Sequence, residues 1–304
     1  MTVLSAKTNR RGVGRRGATR VKLATIAVAG VLAVGLEQVA RAEPAPRRIV
    51  SINLCSDQIL LDLVPLERIA ALSHLASDPD VSAVAERARG LPSTRGEAET
   101  VLAFDPDLVL AGTFSTPATL ALLERVGQRV VKVPLASDLD GVRSAIRQVA
   151  AAVGEGAKAE AMLADLDRQL AAAQAGQGHG KRHTALVYQV NGLASGPGSL
   201  ADALLAAAGL ANHATTLGLG AGGALALETL VSRPPDLLVL SGPSDEYRTA
   251  VADNLRHPAL AALIAERAAV VLPWRLWLCG TQHVGQAVVR LGDARRALEA
   301  KARP

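Results

Sequence analysis

The chain has 304 residues, 33 of them basic and 28 acidic, for a formal net charge of +5. That excess sits in the first 42 residues, where Lys7, Lys22, Arg10, Arg11, Arg15, Arg16, Arg20 and Arg41 face only Glu37; the remainder keeps 25 basic and 27 acidic residues, a net charge of −2. The part that folds therefore lacks the basic footprint that nucleic-acid binding needs, and its two cysteines exclude a disulfide-built scaffold.

Residues 1–42 read as a signal peptide. A basic stretch precedes an apolar run of 14 residues, 23–36, which is short of the about 20 needed to span a bilayer. Ala40-Arg41-Ala42 then places small residues at the spacing of a cleavage site before Glu43. The expected mature chain has 262 residues, enough for one large domain or two lobes.

From Arg48 the sequence alternates short β-like and helical runs. Strands are predicted at 48–52, 69–72, 108–110 and 130–133, and helices at 57–63, 97–104 and 117–126, with a turn at Asp105-Pro106-Asp107. Such alternation signals a parallel α/β sheet. Two helical stretches follow, 141–153 and 157–173, the second with Met162, Leu166 and Leu170 on one face. A polar, glycine-rich loop at 174–183 precedes a new strand at 184–188. The organisation expected is α/β with two Rossmann-like lobes, 43–140 and 177–304, joined by a connecting helical segment at 141–176, with the ligand cleft between the lobes.

A weak internal repeat supports duplication. Glu99 stands seven residues before Pro106-Asp107-Leu108, and Glu228 seven before Pro235-Asp236-Leu237; each copy reads as a short helix, a proline turn and a buried strand. The period is too long for a solenoid.

With Arg48-Ile49-Val50-Ser51 at its start, the two Glu-to-Pro-Asp-Leu segments, one helical connection and Trp277-Leu278-Cys279-Gly280 near its end, almost the whole mature chain resembles the periplasmic binding proteins for cobalamin, ferric siderophores and haem. The resemblance implies a periplasmic carrier, not an enzyme, with its ligand held between two lobes that a rigid helix keeps from moving far. It implies no resident cofactor, the metal chelate being cargo. It also implies as partners an ABC permease dimer with its ATPase subunits, to which each lobe offers one glutamate. Glu99 and Glu228 match those positions, and a diffusing shuttle is expected to be a monomer. As early-helix acids, both glutamates also suit the helix dipole, worth a few tenths of a kcal/mol.

Ligand contacts are expected where predicted strands end. Asn53, His74, Phe114 and Tyr188 hold such positions, each weighed against turn or packing duty. Arg95, before the Glu99 helix, offers two donors to a carboxylate, hydroxamate or phosphate oxygen. Trp274 and Trp277 are expected to wall the cleft in a chain poor in aromatics, core packing being the alternative. Cys55 and Cys279 flank the cleft from opposite lobes, and three readings stay open: thiol ligands with His74 or His283, a disulfide, or two buried thiols.

Other patterns carry less. Gly218-x-Gly220-x-x-Gly223 follows no predicted strand and leads to no phosphate-binding lysine. His179 and His183 lie in a loop, and Ser195 lacks the nucleophile-elbow spacing. A bare-metal binder would need three or four convergent histidines and carboxylates, and an exported tetrapyrrole-handling enzyme would need His74 or His283 as its base.

Overall fold

A computed structural model describes residues 44–177, 181–241 and 257–301; the expected signal peptide and His179 lie outside them. The N-terminal lobe is built from β1 (Ile49–Ser51), α1 (Leu54–Leu63), β2 (Ile69–Ser73), α2 (Ala85–Ala88), β3 (Ser93–Thr94), α3 (Ala98–Ala103), β4 (Leu108–Gly112), α4 (Pro117–Arg125), β5 (Val130–Val133) and α5 (Leu139–Val153). Its five strands pair in the order β3-β2-β1-β4-β5, all parallel. β1, β2 and β4 are apolar almost throughout, as strands covered on both faces must be.

The connection is α6 (Gly156–Gln174), and the C-terminal lobe then runs β6 (Thr184–Tyr188), β7 (Leu193–Ser195), α7 (Leu200–Ala207), β8 (Ala211–Asn212), α8 (His213–Thr216), β9 (Gly222–Ala224), α9 (Leu227–Ser232), β10 (Leu237–Leu240), α10 (Pro258–Glu266), β11 (Ala268–Val271) and α11 (Val284–Lys301). Its sheet order is β11-β10-β6-β7-β9, with β8 also on β6. β11, β10, β6 and β8 pair in parallel, while β7 and β9 add an antiparallel edge. Part of the glycine-rich run that resembles a dinucleotide fingerprint thus becomes the edge strand β9, preceded by the short helix α8.

The expected connecting segment is two helices with different duties. Asp138 caps α5 by accepting the Gly141 N–H, and Gly154, at φ +78°, ends it in a left-handed turn that a side chain would strain. α5 packs against α1 and β5, so it completes the N-terminal lobe. α6 alone makes the crossing; its 19 residues span about 28 Å. α11 lies along it at close range, since a Cβ on Gly292 would come 2.7 Å from the Ala173 carbonyl oxygen.

One apolar core runs through both lobes, from Ile49, Leu60 and Ile146 by way of Leu163 and Leu166 to Leu204, Val239 and Leu291. Besides a small cluster of Leu54, Val81 and Cys279, two others lie outside it. One holds Val50, Val101, Val109 and Leu123, and the other Leu186, Leu230, Leu238 and Leu260.

The repeat has a structural cause. Asp107 accepts the backbone N–H of Arg47 (2.6 Å) and Arg48 (3.0 Å), fastening the entry of β1 to that of β4. Asp236 accepts the N–H (2.7 Å) and hydroxyl (2.9 Å) of Thr184, fastening β6 to β10 in the same way. The likeness extends further than the glutamates: α4 and α10 both begin Pro-Ala, and both lead into a strand parallel to the one before.

Candidate functional site

The carboxyl ends of the N-terminal lobe's strands present a row of polar and aromatic side chains. β2 leads to His74 and β3 to Arg95, and the His74 N–H donates to the Thr94 carbonyl (3.0 Å), so these two side chains leave neighbouring strands at one level. Both are exposed, and neither ion-pairs with another described residue. Phe114, two residues past β4, is 81 % exposed. An aromatic ring held so far into water is an unused apolar face.

Asn53 does a different job from the one expected. Its side-chain oxygen accepts the Cys55 and Ser56 N–H groups (both 3.1 Å), capping α1. Its amide nitrogen lies against Gly112, where no Cβ would fit. α1 accordingly starts at Leu54, ahead of the 57–63 stretch that periodicity suggested.

Two expected ligand contacts belong to the core. Trp277 is 7 % exposed, packs in the main core and donates its indole N–H to the Leu272 carbonyl (3.4 Å). Tyr188 is fully buried in the outer cluster of the C-terminal lobe. Trp274 is partly buried against the main core. Among the described residues, the exposed aromatic at a strand end is Phe114.

The cysteines take one of the three readings. Cys55 and Cys279 form a disulfide, with Cα atoms 5.2 Å apart, so neither sulfur is free as a metal ligand. The bond joins the first turn of α1 to the loop before α11, and hence one lobe to the other. Polar groups continue the junction along the same face of α1, at the i, i+3, i+7 positions Cys55, Gln58 and Asp62. The Gln282 amide donates to the Gln58 carbonyl (3.1 Å) and to the Asp62 carboxylate, and His283 Nε2 lies 3.6 Å from Asp62. Arg87 pairs with Asp62 from the other side. Burial drives the His283 pKa down, against the attraction of Asp62. His283 is thus a joint between lobes, neither a thiol's co-ligand nor an exposed base.

Asp57 went unnoticed in the sequence. It sits in the first turn of α1, fully buried, and accepts the Ser73 N–H (3.4 Å) and the Ser73 hydroxyl. Burial pushes its pKa from an ordinary 3.8 up to about 7, against the lowering effect of Ser51 and Ser73. Between those two values the folded protein holds a proton that the unfolded chain releases. Stability from this group is therefore full below pH 3.8 and is lost as pH rises toward 7. Asp57→Asn keeps the shape without the titration. Measured by denaturant unfolding, its stability relative to wild type should improve by roughly 4 kcal/mol between pH 4 and pH 8. A pH-independent difference would show that Asp57 stays ionised.

Glu99 and Glu228 hold matching places, each the second residue of a short helix, and both are exposed. No group of three or more histidine, cysteine or acidic side chains arranged to hold a metal occurs among the described residues. No described helix is long and apolar enough to cross a membrane.

Two lobes, one crossing helix and a polar row at the strand ends describe a ligand-binding frame. The periplasmic binding protein family matches residues 49–272, from β1 to just past β11. The chain belongs to that family. Among solved structures, a periplasmic haem-binding protein of Roseiflexus sp. RS-1 in apo form is similar at 27 % identity and a TM-score of 0.68, covering 83 % of this chain and 98 % of that one. A periplasmic haem-binding protein of Pseudomonas aeruginosa is 26 % identical with a TM-score of 0.65, over 82 % and 92 % of the two chains. A cobalamin-binding protein of Halobacterium salinarum is 26 % identical over 250 residues; the match takes in 81 % of this periplasmic binding protein but 66 % of the relative's length.

Proposed function

We propose that this chain is the substrate-binding component of an ABC importer, which captures a metal chelate between its lobes and delivers it to a permease dimer driven by separate ATPase subunits. The observation that carries the reading is the exposed row His74, Arg95 and Phe114 at the strand ends of a lobe tied to its partner lobe at two places. Cobalamin and haem, the ligands in the relatives' names, are both metal-centred macrocycles. A flat macrocycle suits the Phe114 ring, an acidic or hydroxamate edge suits the Arg95 guanidinium, and a metal centre suits the His74 imidazole. No bond in the cargo is made or broken, so binding is stoichiometric and the protein needs no resident cofactor. Export through a cleaved signal at residues 1–42, a periplasmic location and a monomeric state complete the proposal. The docking groups are Glu99 and Glu228, whose matched positions fix orientation more than affinity.

Titration of the mature protein with haem, cobalamin and a ferric hydroxamate tests the reading. One of the three should saturate at one equivalent with sub-micromolar affinity. Phe114→Ala should weaken it about tenfold, near 1.4 kcal/mol, the scale of a lost aromatic stacking contact. His74→Ala should alter the visible spectrum of the bound chelate. If none of the three saturates, the chelate reading is wrong.

A further inference from the structure

We infer that the groove between α9 and α10 receives an apolar side chain of the permease next to Glu228, so that the C-terminal lobe docks through an apolar anchor as well as through charge. The inference rests on the importer reading above. The groove has a volume of about 330 Å³ and is lined by Leu227, Glu228, Val231, Ser232, His257 and Ala259. Three of the six are aliphatic, and Val231 is 41 % exposed, a branched side chain on an outer helix face with nothing gained from water. His257 forms a fixed wall, because its Nδ1 accepts the Ala259 N–H (3.1 Å) as the cap of α10. Glu228 stands exposed at the rim and ion-pairs with no other described residue. An acid beside an aliphatic slot selects a guanidinium or ammonium group flanked by a large apolar residue.

The duplication sharpens the point. Glu99 matches Glu228, but the positions that line the groove are Ala98, Leu102 and Thr116 in the N-terminal copy against Leu227, Val231 and His257 in the C-terminal one. The carboxylates are alike and the floors beneath them are not. Two identical permease subunits would thus meet equal charges on unequal apolar surfaces. Charge pairs of this kind speed encounter and fade with salt, whereas a filled apolar slot slows release and does not.

The test is the affinity of the mature protein for the importer's permease–ATPase complex in lipid nanodiscs, at low and high salt. Val231→Asn should weaken docking about tenfold at both salt concentrations, with chelate affinity and melting temperature unchanged. Glu228→Ala should weaken docking mainly at low salt. Ala259→Gln, which fills the groove from its other wall, should reproduce the Val231 effect. If Glu228→Ala weakens docking and neither groove variant does, the groove inference falls and the importer reading stands. If Glu99→Ala and Glu228→Ala both leave affinity untouched, the docking reading itself falls. A Val231→Asn protein that docks normally, whatever its melting temperature, also overturns the inference.

Discussion

Arg295→Met is expected to remove about 4 kcal/mol of stability, more than any other single substitution considered. Arg295 is 1 % exposed, yet it is a full charge on a helix that otherwise looks amphipathic. Its Nε donates to the Ala208 carbonyl (3.0 Å), at the end of α7. Its Nη2 donates to the Ala173 (3.3 Å) and Ala175 (3.1 Å) carbonyls, at the end of α6. Nη1 pairs with Glu299 (2.6 Å). Two helices end with unpartnered carbonyls and negative dipole ends at one place, and a single planar guanidinium serves both. Methionine fills the volume and leaves the buried Ala208 carbonyl, the Ala175 carbonyl and Glu299 without this donor, while Ala173 keeps only its bond from Arg296 (3.3 Å), a loss in the roughly 3–5 kcal/mol range of broken buried pairs. Thermal unfolding should drop by about 10 °C. Arg295→Lys should recover only part, since one ammonium does not span both helix ends. A drop below about 1 kcal/mol would mean that water takes over these carbonyls.

The second large effect belongs to the disulfide. Its partners are 224 residues apart, so the loop it closes is most of the folded chain. Chain-entropy arguments put the stabilisation from such a loop at about 5 kcal/mol, and measured bridges more often give 2–4. The Cys55→Ser, Cys279→Ser protein is expected to lose about 4 kcal/mol in denaturant unfolding, and reductant should do the same to wild type. Without the bridge, the two lobes keep α6 and the Gln282–Asp62–His283 junction, so amide exchange should rise in residues 278–283 before it rises in the sheets. Equal stability with and without the bridge would assign the junction's strength to those polar groups instead.

The fold was legible because it is written twice. Two Glu-to-Pro-Asp-Leu segments mark the same staple between neighbouring strands, and apolar runs of three to five residues identify the central strands. The further likeness at Pro117-Ala118 and Pro258-Ala259 was hidden by spacing: 18 residues separate it from the glutamate in one copy and 30 in the other. The site was less legible. Scarcity made the tryptophans look important, but scarcity carries no information about which way a ring points, and Trp277 and Tyr188 point inward. Asn53 sits where a ligand contact is expected and serves as a helix cap, because the strand end and the helix start share that turn. Arg295 left a misleading signal: its i, i+4 partner Glu299 reads as an ordinary surface pair, and its other partners are carbonyls, which every residue has. The cysteine pair was open to three readings, and proximity in space decided among them.

The Cys55–Cys279 bond also bears on how the chain is assembled. One sulfur lies just after β1 and the other just after β11, 224 residues later, so the two folded lobes hold side by side what the sequence keeps far apart. With two cysteines in the whole sequence there is no wrong partner within the molecule. The bridge therefore needs no sorting among alternatives: whenever oxidation occurs, one intramolecular pairing is open to it.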